Sequence, residues 1–213
     1  MKIRHEDMRM YLVTDRSWLK PGETLARQVE TALEAGATCV QLREKHAGRE
    51  EFLALARELK PICARYGVPF LINDDVSIAK EVDADGVHVG QEDAACREAR
   101  AILGPHKIVG VSCHTVEEAQ KAVADGADCL GLGAVFATGT KDDATVMSHE
   151  ELRQICRTVD IPTVAIGGIT EDNILELAGT GVDGVAVISA VFAKEDKAAA
   201  VRRLRELSGR LKG

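Results

Sequence analysis

Eight short, largely β-branched apolar runs follow one another along this chain, separated by longer segments whose apolar residues recur at three- and four-residue spacing. That alternation leaves few architectures open, because strands lying parallel need long crossovers and amphipathic helices supply them. The runs are Met10 to Thr14, Cys39 to Arg43, Phe70 to Asn73, Gly86 to Val89, Ile108 to Ser112, Cys129 to Val135, Thr163 to Ile166 and Gly184 to Ser189. Helices are expected, among other places, over Glu50 to Arg65, Asp93 to Leu103, Val116 to Ala124 and Lys194 to Leu211. An open doubly wound sheet usually has fewer strands and a dinucleotide glycine fingerprint, so the expectation is an α/β chain closed into a (β/α)8 TIM barrel.

A short phrase recurs before four of the runs: EAGATCVQL, EVDADGVHV, ADGADCLGL and GTGVDGVAV. Each ends a helix with Gly or Asp, turns, and enters a buried strand, which is ordinary helix-to-strand loop chemistry. Its regularity supports one closed barrel over residues 1–213. A chain of 213 residues with 46% hydrophobic side chains suits one core better than two.

Charge and cysteine usage narrow the function classes. Lys and Arg number 27 against 34 Asp and Glu, a formal charge of −7, which argues against a general nucleic-acid or membrane-surface role. The six cysteines show no CxxC and no Cys/His pairing, so neither zinc nor a disulfide framework is expected. No run has signal-peptide or membrane-spanning character, which predicts a cytoplasmic protein with reduced thiols. Assembly into a homo-oligomer is left open.

In a barrel the chemistry sits where the strands end, and the ends here are polar. The third and fourth runs deliver Asn73, Asp74 and Asp75, then Gln91, Glu92 and Asp93. On neighbouring parallel strands, Asp74 and Asp93 would face one volume, where hard oxygen ligands suit Mg²⁺ completed by a substrate phosphate. The alternative makes Asp74 or Asp75, and Asp93, helix caps. The second run ends in QLREK, where strand alternation sets Gln41, Arg43 and Lys45 on one side and Leu42 and Glu44 on the other. Gln, Arg and Lys together make an anion site.

The sixth run leads into a loop carrying Thr138, Gly139, Thr140 and Lys141, a second cationic position. After the seventh and eighth come Gly167, Gly168, Ile188 and Ser189, matching the main-chain phosphate cradle common in barrels. Two anion sites and a metal pair in one mouth imply two small-molecule substrates, a diphosphate and a monophosphate, joined with loss of pyrophosphate. His88, within the fourth run, and His114 read as packed or hydrogen-bonded residues, with His88 able to orient a ligand.

The motifs YLVTD (11–15), QLREK (41–45), INDD, DGVHVGQED, GVSCHT (110–115), GLGAVFATGTKDDA (131–144), AIGGIT (165–170) and GVAVIS (184–189) together resemble thiamine-phosphate synthases over nearly the whole chain. The resemblance implies a Mg²⁺-dependent transferase that couples hydroxymethylpyrimidine diphosphate to a thiazole phosphate, or its carboxylated form. It implies pyrimidine diphosphate contacts from Gln41, Leu42, Arg43, Glu44 and Lys45, with Asn73, Ser112 and Lys141. Arg43, Lys45 and Lys141 would be the catalytic cations and Asp74 and Asp93 the metal ligands. Thiazole phosphate contacts would come from Thr138, Gly139, Thr140, Gly168, Ile188 and Ser189. The chain departs from the family at Ala137 and Gly139, where members often carry proline, which implies a looser loop. Three rivals remain: a thiazole tautomerase-like relative, a lysine Schiff-base aldolase using Lys141 or Lys45, and a noncatalytic precursor-binding protein.

Overall fold

The structure is a computed structural model that describes residues 2–91, 95–138 and 146–212. Eight parallel strands, β1 (Met10–Val13), β2 (Cys39–Leu42), β3 (Phe70–Asn73), β4 (Gly86–Val89), β5 (Ile108–Cys113), β6 (Cys129–Leu132), β7 (Thr163–Ile166) and β8 (Gly184–Val187), close in sequence order. The seam pairs Met10 with Val185, Tyr11 with Ala186 and Leu12 with Val187. The expected (β/α)8 barrel is therefore the observed one.

Helices α1 (Leu25–Glu34), α2 (Arg49–Arg65), α3 (Val76–Glu81), α4 (Ala95–Leu103), α5 (Val116–Ala124), α6 (His149–Thr158), α7 (Ser189–Phe192) and α8 (Lys197–Ser208) cover the outside. Between β7 and β8 the crossover is only a 3-10 turn, Ile174–Leu177. Five of these helices begin on side-chain caps: Thr24, Asp75, Thr115, Ser148 and Asp196 each accept from a main-chain N–H in the first turn. No helix among the described residues is long and apolar enough to cross a membrane.

Strand alternation divides the apolar residues into two layers. Met10, Leu12, Val40 and Leu42 face outward into the layer under the helices. Tyr11, Val13, Cys39, Leu71, Ile108, Cys129, Val164 and Ala186 fill the barrel interior. The N-terminal 3-10 turn His5–Met8 closes the floor with buried Met8. A Cβ at Gly184 would stand 2.2 Å from the Met8 carbonyl oxygen, so only glycine lets the turn sit there.

The recurring phrase has a common geometry. Gly36, Asp83, Gly126 and Gly181 all turn through positive φ (106°, 55°, 96° and 100°). Two residues later Thr38, Asp85, Asp128 and Asp183 each accept, through the side chain, from an N–H at the start of the strand one place back, the first residue in three cases and the second in β5. The donors are Met10 (2.8 Å), Phe70 (2.9 Å), Val109 (2.8 Å) and Thr163 (2.8 Å). The same four residues donate their own N–H to the carbonyls of Met10, Phe70, Val109 and Thr163. Each odd strand is thus clasped at its start by the residue preceding the next even strand.

Candidate functional site

A cavity of about 620 Å³ opens at the C-terminal ends of the strands. Its floor is apolar, from Val13, Val164, Ile166 and Ala186, and its walls carry Gln41, Arg43, Lys45, Asn73, Ser112, Thr138, Gly168, Ile188 and Ser189. Nine of the sequence-predicted site residues are therefore brought together. Gly139, Thr140, Lys141 and Asp93 lie outside the described residues.

Leu42, Glu44 and Asp74 are the exceptions, and for the first two the pleat is the reason. The Leu42 side chain is fully buried in the outer layer. The Glu44 side chain is only 6% exposed and is held by Arg16. What Leu42 can offer a ligand in the cavity is main chain, not side chain.

On the β2 side, Gln41 is buried and its Nε2 lies 2.8 Å from the Tyr11 hydroxyl. Burial pushes the Tyr11 phenol well above its ordinary pKa, so the group stays neutral. The Arg43 main-chain N–H donates to the buried Thr14 hydroxyl at 3.0 Å, which ends β1 and β2 together. Among the described residues, neither Arg43 nor Lys45 forms an ion pair, so two cations face the cavity without a protein counter-ion.

Further round the barrel, His88 reaches from β4 across β5 and sets Nε2 3.1 Å from Ser112 Oγ. Its ring fits because Gly110 and Gly131 leave space: a Cβ at either would come within 2.5 or 3.1 Å of it. Tyr11 meets the same ring edge-on at 6.4 Å. His88 is therefore packed and hydrogen-bonded, and it also lines the cavity. Tyr11 and the apolar floor escaped the sequence reading. The inward phase of each strand, set by the polar residue at its end, was the signal that would have found them.

The β3 end separates two carboxylates. Asp75 Oδ1 caps α3 by accepting from the Ile78 N–H at 2.8 Å. Asp74 takes a left-handed backbone (φ 63°), is exposed, and accepts from the Asn73 side-chain amide at 2.6 Å. Of the two, Asp75 is the cap and Asp74 stands beside cavity-lining Asn73. Among the described residues no three His, Cys, Asp or Glu side chains converge on a metal-sized point. Asp74 thus supplies one hard oxygen donor next to β4, where its N–H donates to the His88 carbonyl.

At the β7 end, a Cβ on Gly168 would come within 2.4 Å of the Ala137 carbonyl and 2.9 Å of Phe136 Cβ. Its φ of 63° also favours glycine, and together these let the loop after β6 fold down beside Ser189. Met147 closes that loop by donating to the Ala134 carbonyl at 2.7 Å.

No activated thiol serves the cavity. All six cysteines are free, and burial raises each, Cys113 and Cys63 to about 12 and Cys156 to about 11. Alkylation of Cys63, Cys113 and Cys156 in the native protein by iodoacetamide at pH 8 is accordingly expected to run about 100-fold or more slower than for a free cysteine, following the thiolate fraction, and the other three should also be slowed. Six rapid additions to the native protein, counted by mass, would contradict this.

The family profile described as thiamine monophosphate synthase matches residues 10–191. A thiamine-phosphate synthase of Alkaliphilus oremlandii is 49% identical over 206 residues, 96% of this chain and 98% of that protein. One from Clostridioides difficile is 51% identical over 189 residues, covering 89% and 90% of the two chains. The solved thiamine phosphate pyrophosphorylase of Pyrococcus furiosus superposes with a TM-score of 0.89 at 41% identity, covering 98% of this chain and 99% of that one. Profile, sequence relatives and barrel agree from one end of the chain to the other: it belongs to the thiamine monophosphate synthase family.

Proposed function

We propose that this enzyme joins hydroxymethylpyrimidine diphosphate to a thiazole phosphate, or its carboxylated form, giving thiamine phosphate and pyrophosphate. The observation that carries the reading is a pair of cations, Arg43 and Lys45, with no ion-pair partner among the described residues, on the rim of a cavity whose other half is lined by Thr138, Gly168, Ile188 and Ser189. Pyrophosphate departs towards the cations and the thiazole phosphate is held by the glycine-rich half. The apolar floor between them takes the two rings.

In the step itself, the bond from the exocyclic carbon to the diphosphate oxygen breaks with its electrons leaving on pyrophosphate. The thiazole nitrogen lone pair then forms the new C–N bond; a carboxylated thiazole would also lose CO₂. Gln41, held against Tyr11, presents an amide to the pyrimidine, and Ser112, held by His88, a hydroxyl. Arg43, Lys45 and Lys141 would accept the charge developing on the leaving group. Mg²⁺ on Asp74 and Asp93, if bound there, would add Lewis-acid neutralisation of the pyrophosphate. The fit rests on the chemistry of Asp74, an exposed hard donor released from capping by Asp75.

A Schiff-base aldolase is disfavoured because Lys45 is solvent-exposed, whereas an amine nucleophile needs desolvation. The buried lysine, Lys197, lies near Glu23 in the helical layer. We also place the reaction in the cytoplasm, where six free thiols stay reduced.

The test mixes both precursors with protein and Mg²⁺ and follows thiamine phosphate by mass or by oxidation to its fluorescent product. Binding of both precursors without product would point to the noncatalytic rival. Within an active enzyme, Arg43→Ala is expected to lower kcat/KM for the pyrimidine diphosphate by about 10- to 150-fold, the worth of one charge-assisted contact. KM for thiazole phosphate should barely move. A larger loss on the thiazole side would reverse the assignment of the two halves.

A further inference from the structure

Arg43 and Lys45 flank a carboxylate that could neutralise both. Glu44 is instead taken by Arg16: Nε lies 2.9 Å from each Glu44 oxygen and a terminal nitrogen 2.8 Å from Oε2. The other terminal nitrogen donates to Glu51 Oε1 at 2.6 Å, in the first turn of α2. Arg16 opens the 3-10 turn Arg16–Trp18, which Asp15 fixes by accepting from the Ser17 N–H at 3.0 Å. The partnership joins residues 28 apart in sequence.

We propose that Arg16 is a positioning residue for the diphosphate: it holds Glu44 on the outer side of the loop and so keeps Arg43 and Lys45 available to the substrate. The inference rests on the reading that these two cations bind pyrophosphate. Three features support it. Glu44 is nearly buried although its neighbours reach the cavity. The contact is the planar two-pronged grip that a guanidinium makes with a carboxylate and an ammonium cannot. A carboxylate released between two cations would also swing onto them, competing with an incoming anion for the same charge.

The test is calorimetric titration of inorganic pyrophosphate with Mg²⁺ into the full chain and into R16M, E44Q and R16M/E44Q. KM for each substrate and a thermal melt accompany it. R16M is expected to bind pyrophosphate at least about tenfold more weakly and to raise KM for the diphosphate similarly, with KM for thiazole phosphate within about twofold. Adding E44Q should recover most of the loss, because the competing charge is gone. A loop that merely lost packing would gain nothing from the second change.

If R16M does not fold, R16K serves in its place, with a smaller loss that E44Q again reverses. Unchanged pyrophosphate affinity in the Arg16 variant, a double variant as weak as the single one, or equal losses for both substrates would overturn the proposal. Failure of the unaltered chain to bind pyrophosphate would overturn it too. A wild-type chain that binds pyrophosphate yet makes no thiamine phosphate would sink the reaction assignment, while the affinity comparison still judges Arg16.

Discussion

With divalent metal stripped by excess chelator, turnover should fall by about a thousandfold or more and return on adding Mg²⁺, since Lewis-acid stabilisation of a leaving pyrophosphate is worth several kcal/mol. Asp74→Ala should reproduce most of that loss. It should leave the melting temperature nearly untouched, because Asp74 is exposed and the cap of α3 is Asp75. Asp75→Ala is the contrasting variant. It removes the acceptor of the Ile78 N–H at the start of α3 and should cost about 1 kcal/mol of stability, with the metal requirement intact. Full activity in chelator would refute the metal assignment, and an Asp75 variant that loses metal dependence would show that the two carboxylates had been exchanged.

An electron-withdrawing substituent on the pyrimidine should slow the chemical step by about a hundredfold or more, roughly 2.7 kcal/mol on the barrier. If carbon–oxygen cleavage runs ahead of carbon–nitrogen bonding, positive charge accumulates on the ring, and fluorine destabilises it. The described site suits that route: six thiols held protonated by burial offer no nucleophile, and the apolar floor holds the rings rather than attacking them. Holding the thiazole nitrogen beside the exocyclic carbon can contribute ~7 to 11 kcal/mol. Single-turnover rates for fluorinated and parent diphosphates measure the effect. Equal rates, with chemistry shown to be the step observed, would favour direct displacement.

Local sequence carried most of the architecture because strand length, alternation and turn chemistry are local properties. The strands at Phe70, Gly86 and Thr163 have the bounds that their sequences imply. β1, β2, β6 and β8 stop one to three residues early, where the chain leaves the ladder to build the site: Thr14 turns its hydroxyl to the Arg43 N–H instead of extending β1. The thin crossover before β8 was less legible, as ILEL reads like helix but gains only a 3-10 turn between Asn173 and Ala178.

In the site, polar strand ends such as Gln41, Asn73 and Ser112 stood out because each follows directly on an apolar run. Pairings across the barrel did not. Tyr11 against Gln41, His88 in the space left by Gly110 and Gly131, and Arg16 on Glu44 depend on which strands become neighbours and how far each side chain reaches. Which of Asp74 and Asp75 became the cap was decided by one left-handed residue that the sequence does not mark.

The clasps at Thr38, Asp85, Asp128 and Asp183 bear on how such a ring is assembled. Their bonds span 28, 15, 19 and 20 residues, so each strand pair is wired by short-range contacts before the ring need close. Short sequence separations lower the entropy of forming a contact and favour fast folding. The chain is in this sense four tandem copies of one two-strand unit, whose far ends are joined by the seam between β1 and β8 and by the bonds from Ser208 to Arg9 and between His5 and Asp183. New termini placed between units, before β3, β5 or β7, would leave every clasp within its own short stretch. A break inside a unit would turn that clasp into the longest-range contact in the molecule, making the last unit to order the one with the most chain to gather.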